Sequence, residues 1–230
     1  MLIKSTNSAE STRVTMLVYG KSGAGKTTLA KTLPGKTLII SAESGLLSLK
    51  DFQIDYVELE GKTATEKLIS LHSIATELAS KVEYDNIFID SITEISQIFV
   101  EHFQAQYQSR SDALVLWGEY SKSMRAFIKR LRDMAPYNVI MSCLEKEDKD
   151  DLSRKIYMPD LNGKISTQIL QFFDEVFNLK VVMKDDEEKR VLITDHFDGF
   201  VGKDRSGKLA KFEPANLTHI FNKILNKEVV

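Results

Sequence analysis

Eight consecutive residues, Gly20-Lys21-Ser22-Gly23-Ala24-Gly25-Lys26-Thr27, have the types and order of a loop built to hold phosphate. Glycines let successive backbone N–H groups turn toward one anion without obstruction, and the positive end of a following helix adds to the attraction. In that arrangement Lys26 reaches the β- and γ-phosphates of a nucleoside triphosphate and Thr27 gives its hydroxyl to Mg²⁺, while Gly20, Ser22, Gly23, Ala24, Gly25 and Thr28 complete the cradle. The expected ligands are therefore a nucleoside triphosphate and Mg²⁺. Two carboxylates fall where such a site needs them. Asp90 ends the apolar run Ile87-Phe88-Ile89 and is expected beside the P-loop, holding the metal shell. Glu43 follows Thr37-Leu38-Ile39-Ile40 and is expected to polarise the attacking water. Each has a plainer reading, Asp90 as the cap of the next helix and Glu43 as a solvated turn residue.

The elements that must position these groups alternate along the chain. Val14 to Tyr19 reads as the strand entering the loop, and Thr28-Leu29-Ala30-Lys31 as a helix ending near Leu33-Pro34-Gly35. The short apolar runs Thr37–Ile40 and Asn86–Ser91 read as buried strands, Val139–Cys143 as another short apolar strand and Tyr56–Leu59 as a short third strand. Helical spacing is expected over Thr65–Ser80, Glu94–Tyr107, Tyr120–Met134 and Ile165–Phe173, and His72 is read as a helix-face residue without catalytic meaning. Glu145–Asp151 is a charge cluster too polar for a core. Val176–Met183 and Val191–Thr194 read as a hairpin extending the sheet, Phe200–Lys208 as a polar glycine-punctuated segment, and Pro214–Leu225 as a closing helix. This alternation predicts an α/β fold: a mainly parallel central sheet with helices on both faces and a C-terminal antiparallel hairpin extension. Residues 1–12 read as a polar N-terminal arm and 13–230 as a single domain.

Composition constrains the partners. The 230 residues are 43% hydrophobic, enough for one generous core, and the net charge of −2 gives no whole-chain basic field for nucleic acid. The single cysteine, Cys143, excludes an intramolecular disulfide and reads as a buried inert thiol, which suits a reducing cytoplasm. No apolar run approaches bilayer length, so no membrane partner is expected.

The order of motifs is similar to that of the RecA family. Ile40-Ser41-Ala42-Glu43-Ser44-Gly45-Leu46 resembles that family's strand ending in the water-activating glutamate, and Ile89-Asp90-Ser91 resembles its metal-site strand. Gly202-Lys203-Asp204-Arg205-Ser206-Gly207 looks like the Lys-x-Arg signature of RecA-fold hexameric helicases. The resemblance spans Arg13 to Leu209 and points to the short RecA-like ATPases of bacteriophages, among them single-strand annealing recombinases. It implies a RecA-like P-loop ATPase core with catalytic Lys26 and Glu43, and Lys203 and Arg205 reaching into a neighbouring subunit's site. It further implies a homo-oligomeric ring or filament, single-stranded DNA and a single-strand-binding protein as partners, and the cytoplasm of a bacterial host. By the same likeness Lys146, Lys149, Arg154, Lys155 and Lys164 would contact the DNA backbone; Lys122, Arg125, Lys129, Arg130 and Arg132 form a second basic face, and both sets read equally as solvated surface. One departure is plain, since Ser142 and Cys143 stand where the family usually has glutamine. Two alternatives stay open: a helicase or translocase subunit, and a nucleotide-gated loader with slow hydrolysis.

Overall fold

The computed structural model describes residues 13–80, 83–134, 136–184 and 186–226, together with Ile3 and Ser5. The expected N-terminal arm lies almost wholly outside them. Ten strands form one sheet among the described residues: β1 (Thr15–Gly20), β2 (Thr37–Ser41), β3 (Asp55–Glu58), β4 (Asn86–Asp90), β5 (Asn138–Lys149), β6 (Lys155–Pro159), β7 (Glu175–Lys184), β8 (Glu187–Ile193), β9 (Lys203–Asp204) and β10 (Phe212–Pro214). The order is β10-β8-β7-β1-β5-β4-β2-β3, with β6 paired to β5 and β9 to β7. Every pairing from β7 to β3 is parallel, whereas β8, β10, β9 and β6 run antiparallel.

The central strands are apolar at nearly every position because both faces are covered. Along β1, Leu17 and Tyr19 enter one core and Met16 and Val18 the other; Ile87 and Ile89 of β4 oppose Phe88 in the same way. The first core is roofed by α1 (Ala64–Ser80), α2 (Ile92–Gln106), α3 (Ala113–Arg132) and α4 (Ile165–Gln168). The second face carries α5 (Leu217–Ile224) and the short 3-10 helices Thr27–Thr32 and Leu46–Leu49. Fully burying one Leu, Ile or Phe contributes roughly 1.5–3 kcal/mol, so these two layers supply the main stabilisation of the sheet.

Three expectations change. The helix after the P-loop is a six-residue 3-10 turn, stopped by Pro34 and tied by its Thr32 to α5: Leu217 N donates to Thr32 Oγ1 at 2.9 Å and Thr218 Oγ1 to Thr32 O at 2.7 Å. So short a helix adds little dipole to the phosphate cradle. The strand expected over Val139–Cys143 does not stop before the charge cluster, because β5 continues to Lys149 and returns as β6. Its charges face water on both sides and pair across the turn, Lys155 with Glu147 at 2.9 Å and Arg154 with Asp150 at 2.7 Å, while Asp150 Oδ1 accepts the N–H groups of Leu152 and Arg154. The Pro214–Leu225 segment begins as an edge strand, β10, before α5 starts at the Asn216 cap.

The strand holding Asp90 is not directly beside the P-loop strand, since β5 lies between β4 and β1. That arrangement places a third side chain, Ser142, in the middle of the site.

Candidate nucleotide site

The P-loop leaves β1 at Gly20, where β7 crosses so closely that a Cβ would sit 2.5 Å from the Leu179 carbonyl oxygen. Gly23 and Gly25 then take φ of +76° and +100°, left-handed conformations that other residues rarely adopt. Ala24 is buried, Ser22 and Gly23 are exposed, and Gly25 through Thr28 are half-buried, so the loop opens its middle to solvent while its hinge is fixed. The Lys26 ammonium curls back over the loop and donates to the carbonyls of Gly20 and Lys21, each at 2.9 Å. Burial pulls its pKa below the ordinary lysine value, opposed by the nearby Asp90, Glu43 and Glu145 carboxylates.

Thr27 Oγ1 donates to Asp90 Oδ2 at 2.6 Å, and Ser142 Oγ donates to Asp90 Oδ1. Both oxygens of a carboxylate only 4% exposed are thereby oriented from two different elements. Ser91, and not Asp90, caps α2 by accepting from Glu94 N at 3.4 Å, which removes the plainer reading of Asp90. Ser91 Oγ also donates to Glu43 Oε1. Ser41 of β2 pairs with Asp90 of β4, and Ala42 N donates to Asp90 O at 2.7 Å, so the chain turning out of β2 carries Glu43 over the end of β4. The water-facing carboxylate and the Thr27–Asp90 pair thus lie at the carboxyl ends of adjacent parallel strands, where such sheets bind ligands.

These residues fit Mg²⁺ with a nucleotide. The donor set is a hydroxyl and a carboxylate, hard oxygens suited to a small cation that keeps several waters and takes phosphate oxygens. Thr27 and Asp90 could hold it, and the P-loop N–H groups and Lys26 could hold the phosphates. Among the described residues no cluster of three or more His, Cys, Asp or Glu offers an all-protein metal cage.

Lys203 and Arg205 lie elsewhere. Arg205 N donates to Asp174 O, and Asp174 N to Thr15 O, so the pair sits at the opening end of β1, with the P-loop at its other end. The six residues of β1 put about 20 Å between the two. Lys203 lies in β9, two residues long and paired with β7, and Arg205 follows it directly. Lys203 Nζ caps the carbonyls of Leu170 at 3.2 Å and Phe173 at 2.5 Å, and Arg205 pairs with Asp174 at 2.6 Å, so both cations reach the same segment. Beneath them, burial and the neighbouring Asp204 push the Glu175 carboxyl up to about 8.

The two basic sets are largely occupied within the chain. Lys146 Nζ donates to Leu161 O at 2.7 Å, and Arg154 and Lys155 are paired as described. On α3, Arg125 binds Gln168, Arg130 binds Thr76 and His72, Arg132 binds Asp133, Lys122 meets Glu119, and Lys129 lies over the Phe172 ring. Cys143 is fully buried beside Thr93, its thiol pushed up to about 12 by burial, in accord with an inert role.

Two contacts of the site escape a sequence reading. Ser142 stands out in the chain only as a departure from the resembled family's glutamine, and the order β1-β5-β4 alone reveals its bond to Asp90. Arg190, on β8, donates from Nε to the Ala24 carbonyl at 3.1 Å across 166 residues of chain, with no local signal.

A family model described as an AAA domain matches residues 12–206. The chain belongs to the AAA domain family. It has an α/β P-loop fold with a mixed parallel and antiparallel sheet and flanking helices. No curated protein matches it. Among solved structures it is similar to a prototypical ATPase from the type III secretion system of pathogenic bacteria, at 14% identity and a TM-score of 0.48 over 73% of this chain. The AAA domain spans about half that protein's length, 52%. Among the described residues no helix is long and apolar enough to cross a membrane.

Proposed function

We propose that the chain is a RecA-like, Mg²⁺-dependent ATPase that works as an oligomer on single-stranded DNA, with Glu43 as its base. The observation that carries this reading is the linked set Thr27–Asp90–Ser142 and Ser91–Glu43 over one P-loop. When bound, Mg²⁺ would neutralise charge on the phosphates. Lys26 would release the Gly20 and Lys21 carbonyls and turn to the anion, Thr27 and Asp90 would fix the metal's position, and Glu43 would take a proton from water lying between Ser91 and the cradle.

DNA is assigned to the β5–β6 hairpin, which rises from the strand that touches Asp90 through Ser142. Movement at that contact has a direct route to the hairpin. The internal pairing of Arg154, Lys155 and Lys146 favours a second reading, a nucleotide-gated loader whose slow hydrolysis times the release of a protein partner. Fluorescence anisotropy of labelled single strands, titrated over salt with and without ATP, separates the two alongside ATPase assays. The DNA reading expects ATP-dependent binding that weakens steeply with salt and a DNA-stimulated rate. Absence of binding at low salt, with an unstimulated rate, selects the loader.

Arg205 would act in a neighbouring subunit, since its own P-loop is at the far end of β1. Its side chain is 55% exposed, so turning from Asp174 toward a neighbour would open no core. Arg205→Ala is expected to bind ATP yet lose most hydrolysis, and mixing it with Lys26→Ala to restore part of the activity, because one subunit supplies an intact P-loop and the other an intact arginine. Wild-type turnover in Arg205→Ala would end the trans role.

A further inference from the structure

The hairpin β7–β8 stands past the end of β1: the β1 pairing stops at Tyr19 and Asn178, whereas β7 and β8 stay paired up to Lys184 and Glu187. It forms a wall along one side of the P-loop, and Arg190 reaches from it onto the loop. Nε donates to the Ala24 carbonyl at 3.1 Å. The chain of the arginine lies flat on Gly25, where a Cβ would come 2.9 Å from Nε and 3.2 Å from Cδ. Gly25 is required by its φ of +100°, and a Cβ there would also displace the arginine from the loop. The Nη groups make no hydrogen bond and no ion pair with any described residue, although the side chain is anchored at the rim of a phosphate cradle.

We propose that Arg190 is a nucleotide-binding residue of its own subunit's P-loop, its guanidinium fixed by Ala24 and offering its Nη donors to the diphosphate shared by ADP and ATP. This rests on the P-loop reading of residues 20–27. A guanidinium is a planar fork whose geometry matches phosphate oxygens, and here one donor is spent on orientation, which leaves the others pre-aimed. The sheet order decides which part of the nucleotide it meets. Arg190 approaches from the β8-β7-β1 side, while Thr27, Asp90 and Glu43 gather on the β1-β5-β4-β2 side where the reacting phosphate belongs. Arg190 thus serves binding and not the chemical step. The contact is invisible to a P-loop pattern, because the residue is contributed by the antiparallel extension of the sheet.

Calorimetric titration of the full chain with Mg-ADP and with a non-hydrolysable Mg-ATP analogue tests this, alongside steady-state ATPase assays. Arg190→Ala is expected to weaken both ligands by the same factor, about 10- to 100-fold as for loss of a charged hydrogen-bond donor, with the loss falling on KM. Arg190→Lys keeps the charge and should recover most of the affinity. Arg190→Gln keeps a donor for Ala24 and should stay weak. Unchanged ADP affinity in Arg190→Ala overturns the proposal, as does recovery by glutamine and not lysine, which would make the residue a loop tether alone. A fall in kcat with ADP affinity intact also overturns it, by moving the arginine to the reacting phosphate. If the wild-type chain binds neither ligand, the P-loop reading falls first and this inference with it; if it binds both and the variants bind equally well, only the inference falls.

Discussion

Lys26→Ala is expected to abolish ATP turnover, by at least about two orders of magnitude, in a protein that remains folded. The ammonium is half-buried and is held by two backbone carbonyls of its own loop, at 2.9 Å each. Phosphate competes for it directly, and a charged hydrogen bond to phosphate in so confined a site is worth more than one in open water. The cores draw nothing from this side chain, which belongs to neither hydrophobic cluster. Thermal unfolding within a few degrees of wild type, together with a coupled-enzyme assay, separates loss of site from loss of fold. Wild-type turnover in the folded variant would remove the P-loop from the chemistry.

The second large effect is expected from Glu43→Gln. The amide preserves size and still accepts the Ser91 hydroxyl, but it cannot take a proton from water. Nucleotide binding should persist while the chemical step slows about 10²-fold or more. Single-turnover kinetics with stoichiometric ATP read the two separately, because a trapped substrate complex shows burst-free, slow product formation after normal binding. If Glu43→Gln cleaves ATP at the wild-type rate, the base is another carboxylate of the site, and Glu145, which adds to the field on Lys26 and whose Oε2 accepts Asn178 Nδ2 at 2.7 Å, is to be tested beside those near Asp90.

Much of this architecture is legible in the chain because its signals are local. A glycine loop between an apolar run and a helix-forming stretch needs no distant partner to be recognised, and the strands at Thr37–Ser41 and Asn86–Asp90 are short apolar runs closed by polar residues. The hairpin of β7 and β8 follows from two such runs around an acidic turn. Extension of β5 was hidden because a strand that leaves the sheet's protected centre no longer needs apolar residues. Its charges satisfy one another across the hairpin, and the same composition also suits a loop. The 3-10 geometry after the P-loop was hidden for a related reason, since α5, almost two hundred residues later, fixes where that turn ends.

The sequence by itself determined the phosphate loop, the two carboxylates at strand ends and the α/β alternation, because each depends on residue type and spacing within one segment. Tertiary structure alone decided that β5 separates Asp90 from the P-loop strand and so brings Ser142 to its carboxylate. It alone put Lys203 and Arg205 at the far end of β1, and laid Arg190 across Gly25. Strand order is the physical reason. Parallel neighbours are set by crossovers that bury both faces of the sheet, and β7, placed in this way beside β1, carries the antiparallel β8 with it, so residues 52 to 166 positions apart meet with no periodic trace in the chain.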